Sequence, residues 1–405
     1  MGAAEKTKGE VMKPVEIAKD IYWVGAVDWN IRDFHGYSIK GTSYNAFLIM
    51  DEKIALIDTV KKEFTDDLLE NISQITDPEK IDYVISNHTE MDHSGGLPSV
   101  MKKIGEDKPV FCSKIGHKNL SMHFTQKFNY NPVEDGGKLS LGKRTLSFLE
   151  TRMLHWPDSM FTYVNEDKIL FSSDAFGQHY ASAERFDDLL EDDIMPHARK
   201  YFANILLLYS PLILKLVEKL RGMNLEADMI CPDHGVIFRK DPAKIVNAYV
   251  KWSGQAPKRK AVVIYDSMWH STEKMAYAIV DALAQADVDV KPMHLRKCHR
   301  SDIITEALDA GAVIIGSPTL NNGLFPTVSD FLTYMKGLKP KSRIGAAFGS
   351  YGWSGEAVGL INQVLEEMKF NVLFPGLKVQ YVPDNEGIKA CLDLAEKIAL
   401  KLPNK

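Results

Sequence analysis

A short run of metal-binding side chains lies between residues 88 and 96 of this chain. It reads HTEMDHSGG and supplies two histidines, a glutamate and an aspartate before a serine and two glycines. Imidazole and carboxylate groups are common protein ligands of transition metals, and solvated loops rarely collect them at this density. The run therefore predicts a metal site formed by His88, Glu90, Asp92 and His93.

The flanking sequence indicates which elements position this run. IDYVIS, just before it, reads as a buried strand, and a helix is expected to begin near Leu97. In an extended connection alternate side chains point the same way, so we expect His88, Glu90 and Asp92 to converge, with His93 aimed differently. That arrangement suits two neighbouring ions. Further candidate ligands, each just past an apolar run and expected at the same rim of a sheet sandwich, are His155, Asp174 and His234.

The pattern of apolar residues divides the chain into two halves. From Ile21 to about Arg239, short β-type runs outnumber helical segments, whereas after the KRK of 258–260 strands and helices alternate strictly. Such alternation is typical of a parallel sheet covered by helices on both faces. A chain of 405 residues also exceeds what one core usually supports. We predict domains at 1–252 and 261–405, joined by a linker at 253–260.

Three loops in the second half follow predicted strands. They begin at Asp266 (DSMWHST), Ser317 (SPTLNNGLFP) and Gly349 (GSYGWSGEA). Open α/β sheets bind ligands at the carboxyl ends of their strands, so these loops are expected to form one site. The first precedes a helix whose N-terminus can hold a phosphate, and the third offers Tyr351 and Trp353 for stacking on a planar ring.

Composition and charge narrow the functional classes. The net charge of -5 and the lack of a basic stripe argue against nucleic-acid binding. Four cysteines without CxxC spacing indicate neither disulfides nor a thiolate metal site, and we expect a cytoplasmic protein. The N-terminal segment MGAAEKTKGEVMKP lacks the apolar core of a signal peptide, and the most apolar stretch, NILLLYSPLILKLV, is interrupted by Ser-Pro and lysine. We therefore expect no membrane span.

The ligand pattern as a whole resembles the metallo-β-lactamase superfamily, whose first motif is HxHxDH and whose later ligands are a histidine, a bridging aspartate and a final histidine. Glu90 stands where that motif has its second histidine. An oxygen donor in place of a nitrogen donor favours a non-haem diiron centre over zinc hydrolysis. Resemblance to the iron-binding branch implies one iron on His88, Glu90 and His155, a second on Asp92, His93 and His234, and Asp174 as the bridge.

The second half resembles flavodoxin over nearly all of Lys260 to Leu402, which implies bound FMN. Carried over by position, the phosphate ligands are Ser267, His270, Ser271 and Thr272. The residues around the flavin ring are Thr319, Asn321, Gly323, Ser350, Tyr351, Gly352 and Trp353. Flavodoxins often have glycine where this chain has Trp269-His270.

Together the two halves resemble the flavodiiron proteins, also called A-type flavoproteins. The implied fold class is α/β, with an N-terminal αββα metallo-β-lactamase-like sandwich and a C-terminal flavodoxin-like doubly wound parallel sheet. The implied activity is reduction of dioxygen to water, or alternatively of nitric oxide to nitrous oxide, through FMN and two non-haem irons. The implied electron donor is reduced coenzyme F420 or a rubredoxin-type protein, and the implied assembly is a head-to-tail homodimer or a dimer of dimers.

The same resemblance suggests residues beside the gas-binding site. His35 matches a family position that lines that site, and Tyr201-Phe202 stands where relatives commonly have consecutive tyrosines. If Phe202 is the pocket residue, a hydroxyl donor has been lost there, although either position can equally belong to a packed core.

Two rival functions remain open on the sequence alone. A zinc hydrolase fused to a flavodoxin carrier would have little use for Glu90 as a carboxylate. A non-enzymatic electron carrier would have lost its metal, yet all seven ligand positions hold competent side chains.

Overall fold

The protein is described from a computed structural model, and the structure describes residues 13–404. Most of the charged N-terminal segment considered above lies outside the described residues. Within them, the chain forms two compact units. One comprises 13–34, Ile39–Tyr201 and Pro211–Tyr249, and the other comprises His35–Ser38, Phe202–Ser210 and 250–404.

Short strands and helices make up the N-terminal part of the chain. The strands are β1 (Val15–Ala18), β2 (Ile21–Trp23), β3 (Ala26–Asp28), β4 (Asp33–Phe34), β5 (Tyr37–Ser38), β6 (Thr42–Tyr44), β7 (Phe47–Ile49), β8 (Ile54–Ile57), β9 (Ile81–Ser86), β10 (Pro109–Ser113), β11 (Asn129–Val133), β12 (Lys138–Ser140), β13 (Thr145–Glu150), β14 (Met160–Val164), β15 (Ile169–Phe171) and β16 (Met229–Cys231). The helices are α1 (Thr65–Ser73), α2 (Met91–Ser94), α3 (Leu97–Ile104), α4 (Lys114–His123), α5 (Met195–Tyr201), α6 (Ser210–Gly222) and α7 (Pro242–Gly254).

Two mixed sheets form the centre of the first unit. One has the strand order β1-β2-β7-β8-β9-β10-β11, and the other has the order β12-β13-β14-β15-β16. Apolar side chains of both sheets, such as Phe47, Ile85, Phe148 and Phe171, form a single buried core between them. A second core lies on the outer face of the longer sheet, where α1, α3 and α4 pack. This confirms the predicted sandwich.

The long apolar segment Met195–Gly222 is continuous helical structure. A π-helical turn at Phe202–Leu206 and a 3₁₀ turn at Leu207–Tyr209 join α5 to α6. By length and composition this segment could cross a membrane, yet 61% of its most apolar window is buried inside the protein. Burial of that kind is typical of a core helix.

The second unit contains a parallel sheet with helices between its strands. Its elements are β17 (Lys258–Tyr265), α8 (Ser271–Gln285), β18 (Asp289–His294), α9 (Arg300–Ala307), β19 (Ala310–Gly316), α10 (Pro326–Leu338), β20 (Ile344–Tyr351), α11 (Glu356–Glu367), β21 (Asn371–Val372), β22 (Leu377–Gln380) and α12 (Asn385–Ala399). The order is β18-β17-β19-β20-β21, with β22 also paired to β20. Every one of these pairings is parallel. This is the doubly wound order of flavodoxin-like sheets, and it confirms the predicted class.

Candidate metal centre and cofactor cavity

The loop that carries the first ligands is fastened to both sheets of the sandwich. Asn87 leaves β9 and donates from its backbone N–H and its side-chain amide to the two carboxylate oxygens of Asp58, at 2.7 and 2.8 Å. Thr162 of β14, in the opposite sheet, donates its hydroxyl to the Asn87 side-chain oxygen at 2.6 Å. All three side chains are buried, so the position of His88 follows from the sheets themselves.

The expectation of an extended connection after His88 was wrong in one respect. A helical turn, α2, begins at Met91 immediately after Glu90, so Asp92 and His93 turn away from Glu90. Gly95 permits this turn, because a β-carbon there would collide with the Met91 carbonyl oxygen and lie 3.0 Å from the Lys62 nitrogen. Asp92 therefore does not converge with Glu90, and the ligands separate into two groups.

The first group brings together His88, Glu90, His155 and Asp174. The Nε2 atoms of His88 and His155 lie 3.3 and 3.2 Å from Glu90 Oε2. The same two nitrogens lie 3.6 and 2.9 Å from Asp174 Oδ2. All four ligand atoms thus face one small space.

The second group brings together Asp92, His93 and His234. The Nε2 atoms of His93 and His234 lie 3.2 and 3.1 Å from Asp92 Oδ2, and 3.2 and 3.5 Å from Asp174 Oδ1. The two oxygens of the Asp174 carboxylate therefore face different groups. This is the geometry of a carboxylate that bridges two ions.

Two cations would fit these groups. Ligands about 2.1 Å from a metal at right angles are roughly 3 Å apart, which is close to the separations given above. Both carboxylate oxygens of Asp92, both ring nitrogens of His93 and Asp174 Oδ1 are buried without a hydrogen bond of good geometry in the described chain. Buried polar atoms are rarely left in that state unless an ion or water satisfies them. Mixed histidine and carboxylate ligation suits iron.

Neighbouring groups fix the tautomers of two of these histidines. His88 donates from Nδ1 to the carboxylate of buried Asp158, at 3.1 Å. His234 donates from Nδ1 to the backbone carbonyl of Ser43, at 2.7 Å. A proton held at Nδ1 leaves the Nε2 lone pair free for a metal.

In the metal-free cluster His88 and His93 favour their protonated form and the Asp174 carboxylate favours its ionised form. Burial lowers the pKa of His88, but hydrogen bonds to Asp158 and Glu90 outweigh it and raise the pKa to about 10. Burial likewise lowers the pKa of His93, and the charges of Asp92 and Asp174 raise it well above its usual value. Burial raises the pKa of Asp174, but positively charged His93 and the hydrogen bond to His155 hold it well below the usual range. Metal binding must therefore displace protons from these imidazoles.

Residues that the sequence did not single out surround the cluster. His179 is buried, its ring centroid lies 4.4 Å from that of His234, and its Nδ1 lies 2.8 Å from Thr42 Oγ1. Asp158 and buried Asp233 also flank ligands. Their closeness in sequence to His155 and His234 was the available signal, whereas nothing near His179 or Thr42 pointed to the site.

The residues expected beside the gas site lie in different surroundings. Tyr201 is buried, with its ring centroid 5.1 Å from that of His179 and 6.2 Å from that of His234. Phe202 is buried with its ring centroid 5.5 Å from that of Trp252. His35 is exposed and adopts a positive φ of 50° between β4 and β5. Of the three, Tyr201 is the one that the first unit places against the ligand cluster.

A cavity of about 440 Å³ opens at the carboxyl end of the parallel sheet in the second unit. Seven of the predicted flavin residues line it: Ser271, Thr319, Asn321, Ser350, Tyr351, Gly352 and Trp353. Other residues of the three predicted loops also line the wall: Met268, Trp269, Pro318, Leu320, Asn322 and Ser354. Tyr381 and Val382 belong to none of these loops and were not expected there. Because β22 lies beside β20, the loop after β22 reaches the cavity, and only the strand order could have revealed this.

Phosphate is expected at the N-terminus of α8. His270, at the N-cap, has a left-handed backbone, and its own side chain does not cap the helix. The Glu273 N–H donates to the Ser267 hydroxyl at 3.4 Å, so an anion here would bind the other N–H groups of the first turn. Arg296 fastens the preceding loop by donating to the Ser267 carbonyl at 2.9 Å and pairing with buried Asp266, also at 2.9 Å.

Four predicted flavin residues do not lie in the cavity wall: Ser267, His270, Thr272 and Gly323. The side chain of His270 is 84% exposed and lies 2.6 Å from Glu273, so a direct phosphate contact would require it to turn. Thr272 is buried, and its hydroxyl lies 2.9 Å from that of Ser350. Its position supports the wall from behind.

Comparison with known proteins covers both units. Residues 42–235 match the model of the ODP family beta lactamase, and residues 263–394 match the flavodoxin model. The chain is 47% identical to a nitric oxide reductase of Moorella thermoacetica, over 96% of this chain and 99% of the relative.

Solved structures agree over nearly the whole chain. Rubredoxin oxygen:oxidoreductase from Desulfovibrio gigas superposes with a TM-score of 0.94 at 44% identity, covering 96% of this chain and 98% of that one. A flavodiiron protein from Giardia intestinalis gives a TM-score of 0.92 at 34% identity, covering 97% and 98%. The chain therefore belongs to the flavodiiron proteins.

Proposed function

We propose that this protein is an FMN- and diiron-dependent oxidoreductase that reduces dioxygen to water. The observation that carries the proposal is the division of the Asp174 carboxylate between two groups of histidine and carboxylate ligands. One shared acid between two buried sites holds two cations close together, as a two-metal reaction on a small molecule requires. The family and the flavin-sized cavity in the second unit support the same activity.

The proposed reaction consumes four electrons and four protons for each dioxygen and yields two waters. When bound, FMN supplies an electron pair that can leave one electron at a time, and two ferrous ions supply two more electrons together with the gas-binding positions. Four electrons per chain match the demand of one dioxygen, so no partly reduced oxygen species needs to leave.

The residues of the chain would bind and orient the two irons and would keep water away from them. We assign one iron to His88, Glu90 and His155 and the other to Asp92, His93 and His234, with Asp174 shared. Burial of these side chains, with Glu90 the most exposed, keeps solvent from most of the coordination sphere. In the second unit the exposed rings of Trp269 and Trp353 at the cavity are suited to cover the faces of a flavin.

Glu90 is the residue that favours a diiron oxidoreductase over a zinc hydrolase. Its carboxylate approaches both His88 and His155, so it occupies a ligand position of the first group. Glu90→His would restore the imidazole of the hydrolase motif. We expect this variant to bind zinc in preference to iron when both are supplied, and elemental analysis measures the ratio.

Nitric oxide is the second candidate substrate. The similarity to a protein named nitric oxide reductase favours it. Two nitric oxide molecules would take two electrons and two protons and yield nitrous oxide and water. The two candidates are separated by anaerobic stopped-flow mixing of the reduced protein with dioxygen or nitric oxide. Faster reoxidation by dioxygen is expected, and productive reoxidation by nitric oxide alone would contradict the proposal.

Electrons are proposed to come from a separate rubredoxin-type protein or from reduced coenzyme F420. The similarity to a rubredoxin oxygen:oxidoreductase supports the first. The rate at which each reduced donor reduces the protein-bound FMN distinguishes the two candidates, and the physiological type of donor should be the faster one.

We further propose a cytoplasmic, head-to-tail homodimer or dimer of dimers. The four cysteines are free, as in proteins of a reducing compartment. Sedimentation of the holoprotein measures the assembly, and a monomer that retains full activity would contradict it.

A further inference from the structure

The hydrogen bonds that orient the metal-binding histidines differ between the two groups. In the first group, His88 donates from Nδ1 to a carboxylate, that of Asp158. In the second, His234 donates to the neutral carbonyl of Ser43. The Asp233 carboxylate oxygen that faces His93 Nδ1 lies 3.8 Å from it, which is beyond hydrogen-bond distance. Each group has two imidazoles and one carboxylate besides the shared Asp174, so the carboxylate partner of His88 is a difference in surroundings and not in ligand type.

Asp158 is built to serve His88. Its side chain is fully buried, and Oδ2 accepts from the Thr89 backbone N–H and hydroxyl, both at 2.8 Å, as well as from His88. Oδ1 lies 3.3 Å from the Asn119 side-chain nitrogen. The Trp156 ring meets the His88 ring edge to face, with centroids 5.2 Å apart. The imidazole is thus fixed both at its Nδ1 atom and on its face.

A carboxylate partner has a predictable consequence for a metal-binding imidazole. It draws the Nδ1 proton towards itself and makes Nε2 a stronger donor than a carbonyl partner does. A stronger donor stabilises the higher charge of a ferric ion relative to a ferrous ion. A metal on His88 is therefore easier to oxidise than one on His234, with the other ligands being alike.

We propose that Asp158 is a positioning residue that makes the two metal positions unequal and directs the ferric ion of the half-oxidised centre to the position of His88, Glu90 and His155. This rests on the proposed diiron function. It assigns to Asp158 no contact with substrate or metal.

Asp158→Asn isolates the charge. The amide oxygen can take the place of Oδ2 and still accept from Thr89 and His88, while the Asn119 amide can rotate to accept from the new NH₂ group. His88 then has a neutral partner, as His234 has. The holoprotein is loaded with ⁵⁷Fe, and Mössbauer spectra and an EPR-monitored redox titration are recorded. We expect one of the two iron signals to shift. We also expect the potential window, meaning the range of redox potentials over which the half-oxidised state is populated, to narrow.

Thr89→Val provides a variant of opposite sign. It removes one hydrogen-bond donor from Asp158 Oδ2, so the carboxylate pulls harder on the His88 proton and the window should widen. Ser113→Ala is the matched control, because its hydroxyl donates to the Asp158 backbone carbonyl at 2.8 Å and leaves the carboxylate untouched. We expect its window to be that of the wild type.

The outcomes separate cleanly. A narrower window in Asp158→Asn with a wider one in Thr89→Val supports the proposal. Equal shifts of both iron signals, unchanged windows, or the same change in Ser113→Ala overturn it. If Asp158→Asn does not fold, Thr89→Val decides alone, and an unchanged or narrower window overturns the proposal. Wild-type protein that binds fewer than two irons would overturn the proposed function as well.

Discussion

The metal cluster and the flavin cavity are built in contrasting ways. The cluster consists of charged side chains that are almost all buried and are held by further buried groups such as Asn87 and Asp158. The cavity is walled by loops at a sheet edge, and its two tryptophans are among the most exposed large side chains described, with Trp353 at 87% exposure. A buried charged site is costly to form without its ions, whereas a surface cavity can fill and empty without disturbing its unit.

Loss of the shared Asp174 carboxylate should have the largest effect, and that effect should be confined to the metal cluster. Asp174→Ala removes a ligand from both groups, so we expect both irons to be lost and gas reduction to fall by roughly 10³-fold or more. FMN should stay bound at its normal stoichiometry, because it lies in the other unit. Iron and FMN per chain, measured together, check this.

The matched variant is Glu90→Ala, which removes a ligand from one group alone. It should retain about half of the iron. Retention of two irons in Asp174→Ala would contradict the bridging role.

The second largest difference between the metal cluster and the flavin cavity is expected in how binding depends on pH. The pKa of His88 is raised to about 10 and that of His93 well above its usual value, so these two imidazoles are protonated in the metal-free protein near neutral pH. Protons compete with the metal, so lowering the pH weakens binding and raising it strengthens binding. We expect the apparent Fe²⁺ affinity to rise roughly tenfold per pH unit for each displaced proton between about pH 6.5 and 8.

Anaerobic competition with a chelator at several pH values measures that slope. Loss of FMN over the same range should be much smaller, since the cavity wall has no such histidine cluster. A pH-independent iron affinity would show that the imidazoles are not the ligands.

A smaller effect is expected at the flavin end. Trp353→Ala removes an exposed ring from the cavity wall, and loss of one aromatic contact of about 1–1.5 kcal/mol should weaken FMN binding by roughly tenfold. Iron content should not change. Fluorescence titration of the FMN-free protein measures the affinity, with Trp353→Phe as the control that restores an aromatic ring. Equal affinities for Trp353→Ala and the wild type would place the flavin elsewhere.

The smallest effect on FMN affinity is expected from Thr272, which lies behind the cavity wall and contacts Ser350. Thr272→Val removes the hydroxyl that lies 2.9 Å from Ser350, a loss of about 1 kcal/mol at most. We expect FMN binding to weaken by about threefold, measured by the same titration. Thr333→Val is the control, because Thr333 lies on the exposed face of α10 and its hydroxyl donates to the Ser329 carbonyl; the affinity should be unchanged.

The sequence predicted the fold well because apolar periodicity was strong. The parallel sheet follows from runs such as AVVIYD and AVIIGS, which became β17 and β19, and the helix expected near Leu97 is α3. The candidate metal ligands could be picked out because four of them lie within six residues. Their division into two groups depended on the turn at Met91, which is only four residues long and has no apolar period to reveal it.

Other parts of the sites could not be read from the sequence. Asp158 follows candidate ligand His155 by three residues, yet the side chain that it contacts is that of His88, 70 positions away. His179 likewise contacts Thr42 across 137 positions, and the packed fold brings both pairs together. Tyr381 and Val382 reach the cavity because β22 pairs with β20, a choice made by the sheet as a whole. His270 was expected at the phosphate from its position in the loop, and its positive φ directs the side chain towards Glu273 and solvent.

The central claim is that one chain pairs a flavin with two irons bridged by Asp174, and an oxygen titration of the fully reduced protein tests it most directly. Protein reduced anaerobically and titrated with dioxygen should take up one dioxygen per chain and release no hydrogen peroxide. Asp174→Ala keeps only the two electrons of FMN, so it should take up one dioxygen per chain and release one hydrogen peroxide. Uptake of one dioxygen per chain with stoichiometric hydrogen peroxide, identical in both proteins, would contradict the account.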